Sequence, residues 1–300
     1  MDSENLSAHL SSESTLPPAI QGWKIYLADQ GNSIHTIKAF VHDLEILAQF
    51  LSPTRTLGSI TTADLNHFLN WLQKGRGVPC SPKTLSRRVT SLKSFFRWLH
   101  QHAVLPHNPA EKVIQRSVIS PLPIVLSPSE VERVMEICRE HRRAKKPDAR
   151  YFTLFYLLIS TGIKKTECLG INLNHLELQH SPPFLFVRYS NPQYRYKERK
   201  IPLPLDWVEG FEEYRAQYQI QDRLFPWSQR RLEYLLEDLS EQAGLEKHIS
   251  FDMCRWTCAL LDLQSGMEKN AIRQKLGLSK VQWREVGMKL DQLAASILAG

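Results

Sequence analysis

At 300 residues the chain exceeds the usual size of one domain, and its 42% hydrophobic and 23% charged residues exclude a disordered or collagen-like polymer; two domains, each burying a core, are predicted. Lysine and arginine (38) outnumber aspartate and glutamate (31), a formal charge of +7 that suits a polyanionic partner without requiring one. The five cysteines, Cys80, Cys138, Cys168, Cys254 and Cys258, are scattered without a CxxC pair, so neither a disulfide framework nor a metal site is expected.

Residues 1–17, opening MDSENLSAHLSSES, show no helical apolar period and are predicted to form a flexible tail. They also lack the basic start and apolar middle of a signal peptide, so a cytoplasmic location is expected. A helical domain is predicted over 18–104. Trp23, Tyr26 and Leu27 begin its first helix, and Ile37, Phe40, Val41, Leu44, Leu47, Ala48 and Leu51 recur at spacings of three and four in the second. Thr61 or Thr62 caps a third, with Leu65, Phe68, Leu69 and Leu72 on its apolar side. The fourth opens at Ser81-Pro82, a cap followed by proline in the first turn, and its stripe is Leu85, Val89, Leu92, Phe95, Phe96 and Leu99. At about 100° per residue, Lys83, Arg87, Thr90, Ser94 and Arg97 fall opposite that stripe. No acidic residue occurs between Asp64 and Glu111, so the ridge carries one sign of charge, as a nucleic-acid footprint or as a solvated basic face.

Prolines at 106, 109, 121, 123 and 128 disfavour helix and predict an extended linker over 105–126. The second domain, 127–300, reads as helices from Ser129 to Arg143, Arg150 to Thr161 and Lys165 to Ile171. Short strands follow around Phe184 to Tyr189 and Lys197 to Leu203, then helices to the end. Its most apolar run, Phe152 to Ile159, is less than half of the roughly 20 residues that span a membrane, so no membrane partner is expected. Near the C-terminus, Val286, Leu290, Leu293, Ala294, Ile297 and Leu298 form the apolar side of a short amphipathic helix. That stripe must be covered by its own domain or by another protein.

Several segments taken together resemble the tyrosine recombinase (phage integrase, Xer-type) family. SIHTIKAFVHDLEILAQFL, SPKTLSRRVTSLKSFFRWL and Asn108-Pro109 look like its helical core-binding domain. LLISTGIKKTECLGIN, YKERKIPLP, RLFPWSQRRL, ISFDMCRWTCALLDLQSG and IRQKLGLS then match its catalytic-domain boxes in the family's order. The resemblance implies a mostly α fold with a small antiparallel sheet, in the two-domain tyrosine-recombinase arrangement of a SAM-like DNA-binding domain and a catalytic-like domain. It also implies double-stranded DNA as partner and no cofactor. In the family a tyrosine attacks a phosphodiester, two arginines bind the non-bridging oxygens, a hairpin lysine protonates the leaving oxygen, and two histidine-type positions assist.

Carried over position by position, the first arginine falls on Lys164, the hairpin lysine on Tyr194, the first histidine on Asp252, the second arginine on Arg255, the second histidine on Leu278 and the nucleophile on Gly287. Only Arg255 is retained, and the last tyrosine of the chain is Tyr234. A slip in the hairpin brings Lys197 or Lys200 toward the lysine role. No catalytic residue is therefore expected to function, and a DNA-binding protein without strand-transfer chemistry is the leading reading. It would act with recombination or integration machinery, beside an active tyrosine recombinase or by self-association through its C-terminal helix. The alternatives are a protein-interaction subunit that does not bind DNA, and a recombinase with a displaced nucleophile. The candidate DNA-binding residues are Lys83, Arg87 and Arg97 on the ridge, Arg195, Lys197 and Arg199 on the hairpin, Arg230 and Arg231 at a helix start, and Arg255. For Arg255 the alternative is an ion pair with Asp252 one turn away.

Overall fold

The computed structural model describes residues 9–78, 80–114 and 121–298, with side chains as far as Ser296. The chain divides into two compact units, Met1–Ser120 and Pro121–Gly300.

The first unit is a helical bundle. Helix α1 spans Leu16–Asp29, α2 Ile34–Phe50, α3 Thr62–Lys74 and α4 Pro82–Gln101. Each begins where local chemistry predicts. Pro17 and Pro18 occupy the first turn of α1, Thr61 and Asp64 close a reciprocal capping box on α3, and Ser81 caps α4 ahead of Pro82. The apolar faces converge on Trp23, Leu44, Leu47, Phe68, Phe95 and Phe96, all fully buried. Trp23 meets Phe95 edge to face at 5.4 Å.

Two segments expected to be loose are instead packed. Leu10 lies against the first core and Leu16 is buried within it. The N–H groups of Leu57 and Gly58 donate to the carbonyls of Ser14 and Ser12, each at 2.8 Å. A side chain at Gly58 would put its Cβ 2.9 Å from that of Ser12, so glycine is what lets the two backbones meet. Sequence periodicity missed this tie because its bonds are made by main chain. Within 105–126, Leu105, Ala110 and Val113 are buried in the first core, and Leu126 is buried in the second with its N–H on Thr257 Oγ1 at 3.0 Å. The prolines there exclude helix without excluding burial. Residues 1–8 of the expected tail and 115–120 of the expected linker lie outside the described residues.

The second unit comprises α5 (Pro128–Arg143), α6 (Arg150–Thr161), α7 (Lys165–Leu169), a three-stranded sheet, and α8 (Leu205–Tyr218), α9 (Gln229–Gln242), α10 (Phe251–Gln264), α11 (Lys269–Lys275) and α12 (Lys280–Leu298). The strands β1 (Leu176–Glu177), β2 (Phe184–Val187) and β3 (Arg199–Pro202) are antiparallel in that spatial order, with Leu176 opposite Leu185 and Leu185 opposite Ile201. A 3-10 turn over Pro192–Lys197 forms the tip between β2 and β3. Helix α6 is buried nearly all round, which its unbroken apolar run requires. It ends on Gly162 in the left-handed conformation (φ 60°), where a Cβ would stand 2.8 Å from Leu276 and 3.1 Å from Cys258 Sγ. That close approach brings the end of α6 against α10 and the end of α11.

The C-terminal helix corrects one sequence expectation. Leu290 and Leu293 of α12 are buried against Ala259 and Leu260 of α10 and against Ile272 and Leu276, so this part of the stripe is covered by its own domain and not by a neighbouring protein. The side chains of Ile297 and Leu298 lie outside the described residues. We predict that Leu290→Ala lowers the unfolding free energy of the second unit by about 2–5 kcal/mol, measured by urea denaturation of the monomer. An unchanged midpoint would mean that α12 is not part of this core.

Candidate functional site

Lys164 sits at the N-cap of α7, directly after the Gly162 turn. It is half-buried. Burial lowers its pKa, Glu167 opposes that, and the charges of Arg255, Lys197 and Arg199 add to the lowering. The fold thus brings Lys197 and Arg255 within electrostatic range of Lys164. Lys197 lies on the rings of Tyr194 and Tyr196, its Nζ 4.6 and 5.2 Å from their centroids. Of the three positions named for the hairpin lysine, Tyr194 supplies a ring beneath a cation, Lys197 supplies that cation, and Lys200 lies over the ring of Phe184, its Nζ 4.6 Å from the centroid.

Glu167 organises this region. Its carboxylate accepts two hydrogen bonds from Arg199, at 3.1 and 2.9 Å, one from the N–H of Lys164 at 2.8 Å, and one from the Tyr189 hydroxyl. Arg199 also donates through Nε to the carbonyl of Lys275 at 2.5 Å. The ion-pair side chains are only 9% and 2% exposed. Arg199 was expected to face DNA, and the structure corrects this: its guanidinium is turned inward and neutralises a buried carboxylate. Tyr189 was not singled out in the sequence, and its contact with a residue 22 positions away leaves no local signal.

Arg255 matches neither sequence expectation fully. It stands within the cleft, yet Nη1 donates to the carbonyl of Gly162 and Nη2 to that of Leu276 at 2.6 Å. No ion pair with Asp252 forms, because Asp252 is exposed on the first turn of α10. Burial lowers the Arg255 pKa while Glu167 supports its charge. The cleft of about 570 Å³ is lined by Lys164, Lys165, Arg255, Glu233, Glu237, Asp252 and His248. Lys164, Lys165 and Arg255 share this lining with three carboxylates, and Lys165 is paired with Glu233 at 3.0 Å. Leu278 packs on the C-terminal core, and Gly287 is buried inside α12, where a Cβ would lie 3.2 Å from Trp283 Nε1.

The other candidates are dispersed. Arg195 is exposed on the hairpin tip. Arg230 and Arg231 are exposed at the start of α9, where Arg230 Nε donates to the Tyr234 hydroxyl at 2.7 Å. On α4 of the first unit, Lys83 and Arg97 are exposed, Arg87 is half-buried and Arg88 is buried. Arg87 and Arg88 both pair with Asp43 of α2, an acid beyond the window in which no acid occurs. Its sequence signal was its place among the apolar positions Phe40, Leu44 and Leu47 of α2. Among the described residues no His, Cys, Asp or Glu cluster suits a metal ion, and no helix is long and apolar enough to cross a membrane.

The Glu167 network has a pH consequence. Burial alone would raise this pKa, but the Arg199 hydrogen bonds and charge, with Lys164 N–H and Tyr189, lower it from 4.5 to about 2. Because folding depresses the pKa, the contribution to stability is complete above about 4.5 and is lost as pH falls toward about 2. We predict that Glu167→Gln destabilises the second unit at neutral pH and flattens its stability between those values, measured by denaturant titration at each pH. An unaltered acid limb would refute the assignment.

Known proteins match along nearly the whole chain. Residues 20–102 match the phage integrase N-terminal SAM-like domain, and residues 125–283 match the phage integrase family. The tyrosine recombinase XerC of Roseiflexus sp. (strain RS-1) is 25% identical over 296 residues, covering 92% of this chain and 90% of that protein. The tyrosine recombinase XerD of Listeria innocua is 23% identical over 282 residues, covering 89% and 92%. Among solved structures, a lambda integrase dimer bound to a COC′ core site superposes with a TM-score of 0.70 at 14% identity, covering 94% of this chain and 79% of that one. The Tn1549 transposon integrase in complex with a circular intermediate DNA also gives 0.70, at 18% identity and with 93% and 94% covered. These likenesses show a two-domain tyrosine-recombinase fold, mostly helical with one small antiparallel sheet. Since the second of the two matching stretches alone spans more than half of its residues, this chain belongs to the phage integrase family.

Proposed function

We propose that this protein binds duplex DNA without cutting it, and that it serves recombination or integration machinery as a non-catalytic member of its family. The observation that carries the proposal is the nucleophile position. Gly287 lies buried within a helix, and no tyrosine follows Tyr234 in the chain. Strand transfer by this family stores the phosphodiester bond energy in a phosphotyrosyl link, and glycine has no atom with which to form it.

The remaining site chemistry agrees. Two arginine forks would be needed around the non-bridging oxygens; here one is a lysine, a point charge without the planar fork, and the other has both terminal nitrogens on backbone carbonyls. Asp252, Glu233 and Glu237 offset the cationic groups of the cleft, so a phosphodiester entering it meets no excess of positive charge. DNA binding is supported from elsewhere. Lys83, Arg87 and Arg97 lie along one side of α4, Arg195 is exposed at the hairpin tip, and Arg230 and Arg231 stand at the start of α9. Relatives of the same fold are integrases solved on DNA. Such contacts would position the protein on phosphates and leave base selection to other groups. A partner with intact chemistry, such as an active tyrosine recombinase, would then perform cleavage.

Two measurements test this. Nicked suicide substrates should yield no denaturation-resistant protein–DNA adduct; an adduct that depends on this chain would overturn the proposal, and its peptide map would name the nucleophile. Changing Lys83, Arg87 and Arg97 together to Ala should flatten the plot of log affinity against log salt by roughly 0.9 per lost phosphate contact. An unchanged slope would remove the ridge from the interface, and no affinity at low salt would favour an interaction subunit instead.

A further inference from the structure

Asp43 is an acid buried on the core side of α2, 1% exposed. Three side chains of α4 surround its carboxylate. Arg87 donates through Nη1 to Oδ2, Ser91 Oγ donates to the same oxygen at 2.7 Å, and Arg88 Nε faces Oδ1 at 3.4 Å. A buried carboxylate is costly unless it is paired and hydrogen-bonded, and here two guanidiniums share one negative charge. The two arginines differ in exposure. The Arg88 side chain is 8% exposed and belongs to the interior, whereas that of Arg87 is 36% exposed. Arg87 Nη1 also donates to the carbonyl of Ala39 at 3.0 Å. One nitrogen therefore makes the internal bonds, and the edge formed by Nε and Nη2 lies outside them.

We infer that Asp43 is a positioning residue for phosphate binding, which holds the Arg87 fork by one nitrogen so that its opposite edge is presented between Lys83 and Arg97. The inference rests on the DNA-binding reading above. A free arginine loses about 2 kcal/mol of rotamer entropy when it is fixed. Anchoring it during folding removes part of that loss from the binding step. A lysine cannot do the same, because its ammonium is a single point charge without a second planar edge whose direction the anchor could fix.

The test measures duplex-DNA affinity of the full-length protein by fluorescence anisotropy over a salt series. Asp43→Asn removes a negative charge beside a basic ridge, so charge alone would tighten binding. Positioning requires the reverse, about three- to tenfold weaker. In an Arg87→Ala background the same change should have no further effect, since Asp43 then has nothing to position. Equal or tighter binding by the single variant overturns the inference, as does an undiminished loss in the Arg87→Ala background, which would mean that Asp43 acts through packing of the domain. Should Asp43→Asn fail to fold, Arg87→Lys decides: binding at least about threefold weaker at unchanged charge supports positioning, and equal affinity refutes it. Absence of any affinity in the unmodified protein removes the DNA-binding reading itself, and this role with it.

Discussion

The buried pair between Glu167 and Arg199 is the constraint on which the functional face of the second unit depends. It joins the first turn of α7 to β3 across 32 residues of sequence, and the same arginine reaches the last turn of α11 across 76. Removing either partner would strand a charge in a largely buried site, which typically costs about 3–5 kcal/mol. Lys164 takes its place because its N–H lies on that carboxylate, and the backbone carbonyl of Lys197 receives a bond from Arg199. Lys164 of the cleft and Lys197 of the hairpin are thus tied, through their main chain, to one nearly buried carboxylate and its arginine partner.

Fold and chemistry draw on different residues of the same segments. In the box that ends α6, Leu157, Leu158 and Ile163 fill the core and Gly162 makes the turn, while Lys164 faces the cleft. In α10, Cys254, Cys258 and Ala259 are buried, Arg255 ties the ends of α6 and α11 together, and Asp252 is exposed. The groups that face the cleft can differ without opening the core, because their neighbours on the inner face carry the packing. Through its bonds to the carbonyls of Gly162 and Leu276, Arg255 has a structural role that does not depend on any reaction.

Much of the architecture was legible in the sequence because helices announce themselves by period and by caps: Thr61 with Asp64, Ser81 before Pro82, Gly162 after an apolar run. The family boxes located Lys164, Arg255 and Gly287 as well. What the sequence hid was the direction of long side chains. Arg199 reads as one more cation in a basic hairpin, and only the position of Glu167 in space turns it inward. Arg87 and Arg88 read as neighbours in a one-sign field, yet an acid from another helix draws both. The main-chain tie between Ser12 and Gly58 and the burial of Leu105 and Val113 were invisible for a related reason, since neither creates a repeating pattern.

Gly277 shows how unevenly such a surface is free to drift. It holds φ at 60°, and any side chain there would put its Cβ 2.7 Å from Nη1 of Arg199. The next residue, Leu278, sits where the family resemblance places a histidine, and it packs against the C-terminal core. Adjacent positions are therefore under unlike physical constraints. Position 278 asks only for a side chain that fills the same apolar space, whereas position 277 is locked by the φ of its turn and by an arginine of β3. A side chain introduced at 277 would push on Arg199 and, through it, on Glu167, so the buried ion pair would register a change made in a turn far along the chain.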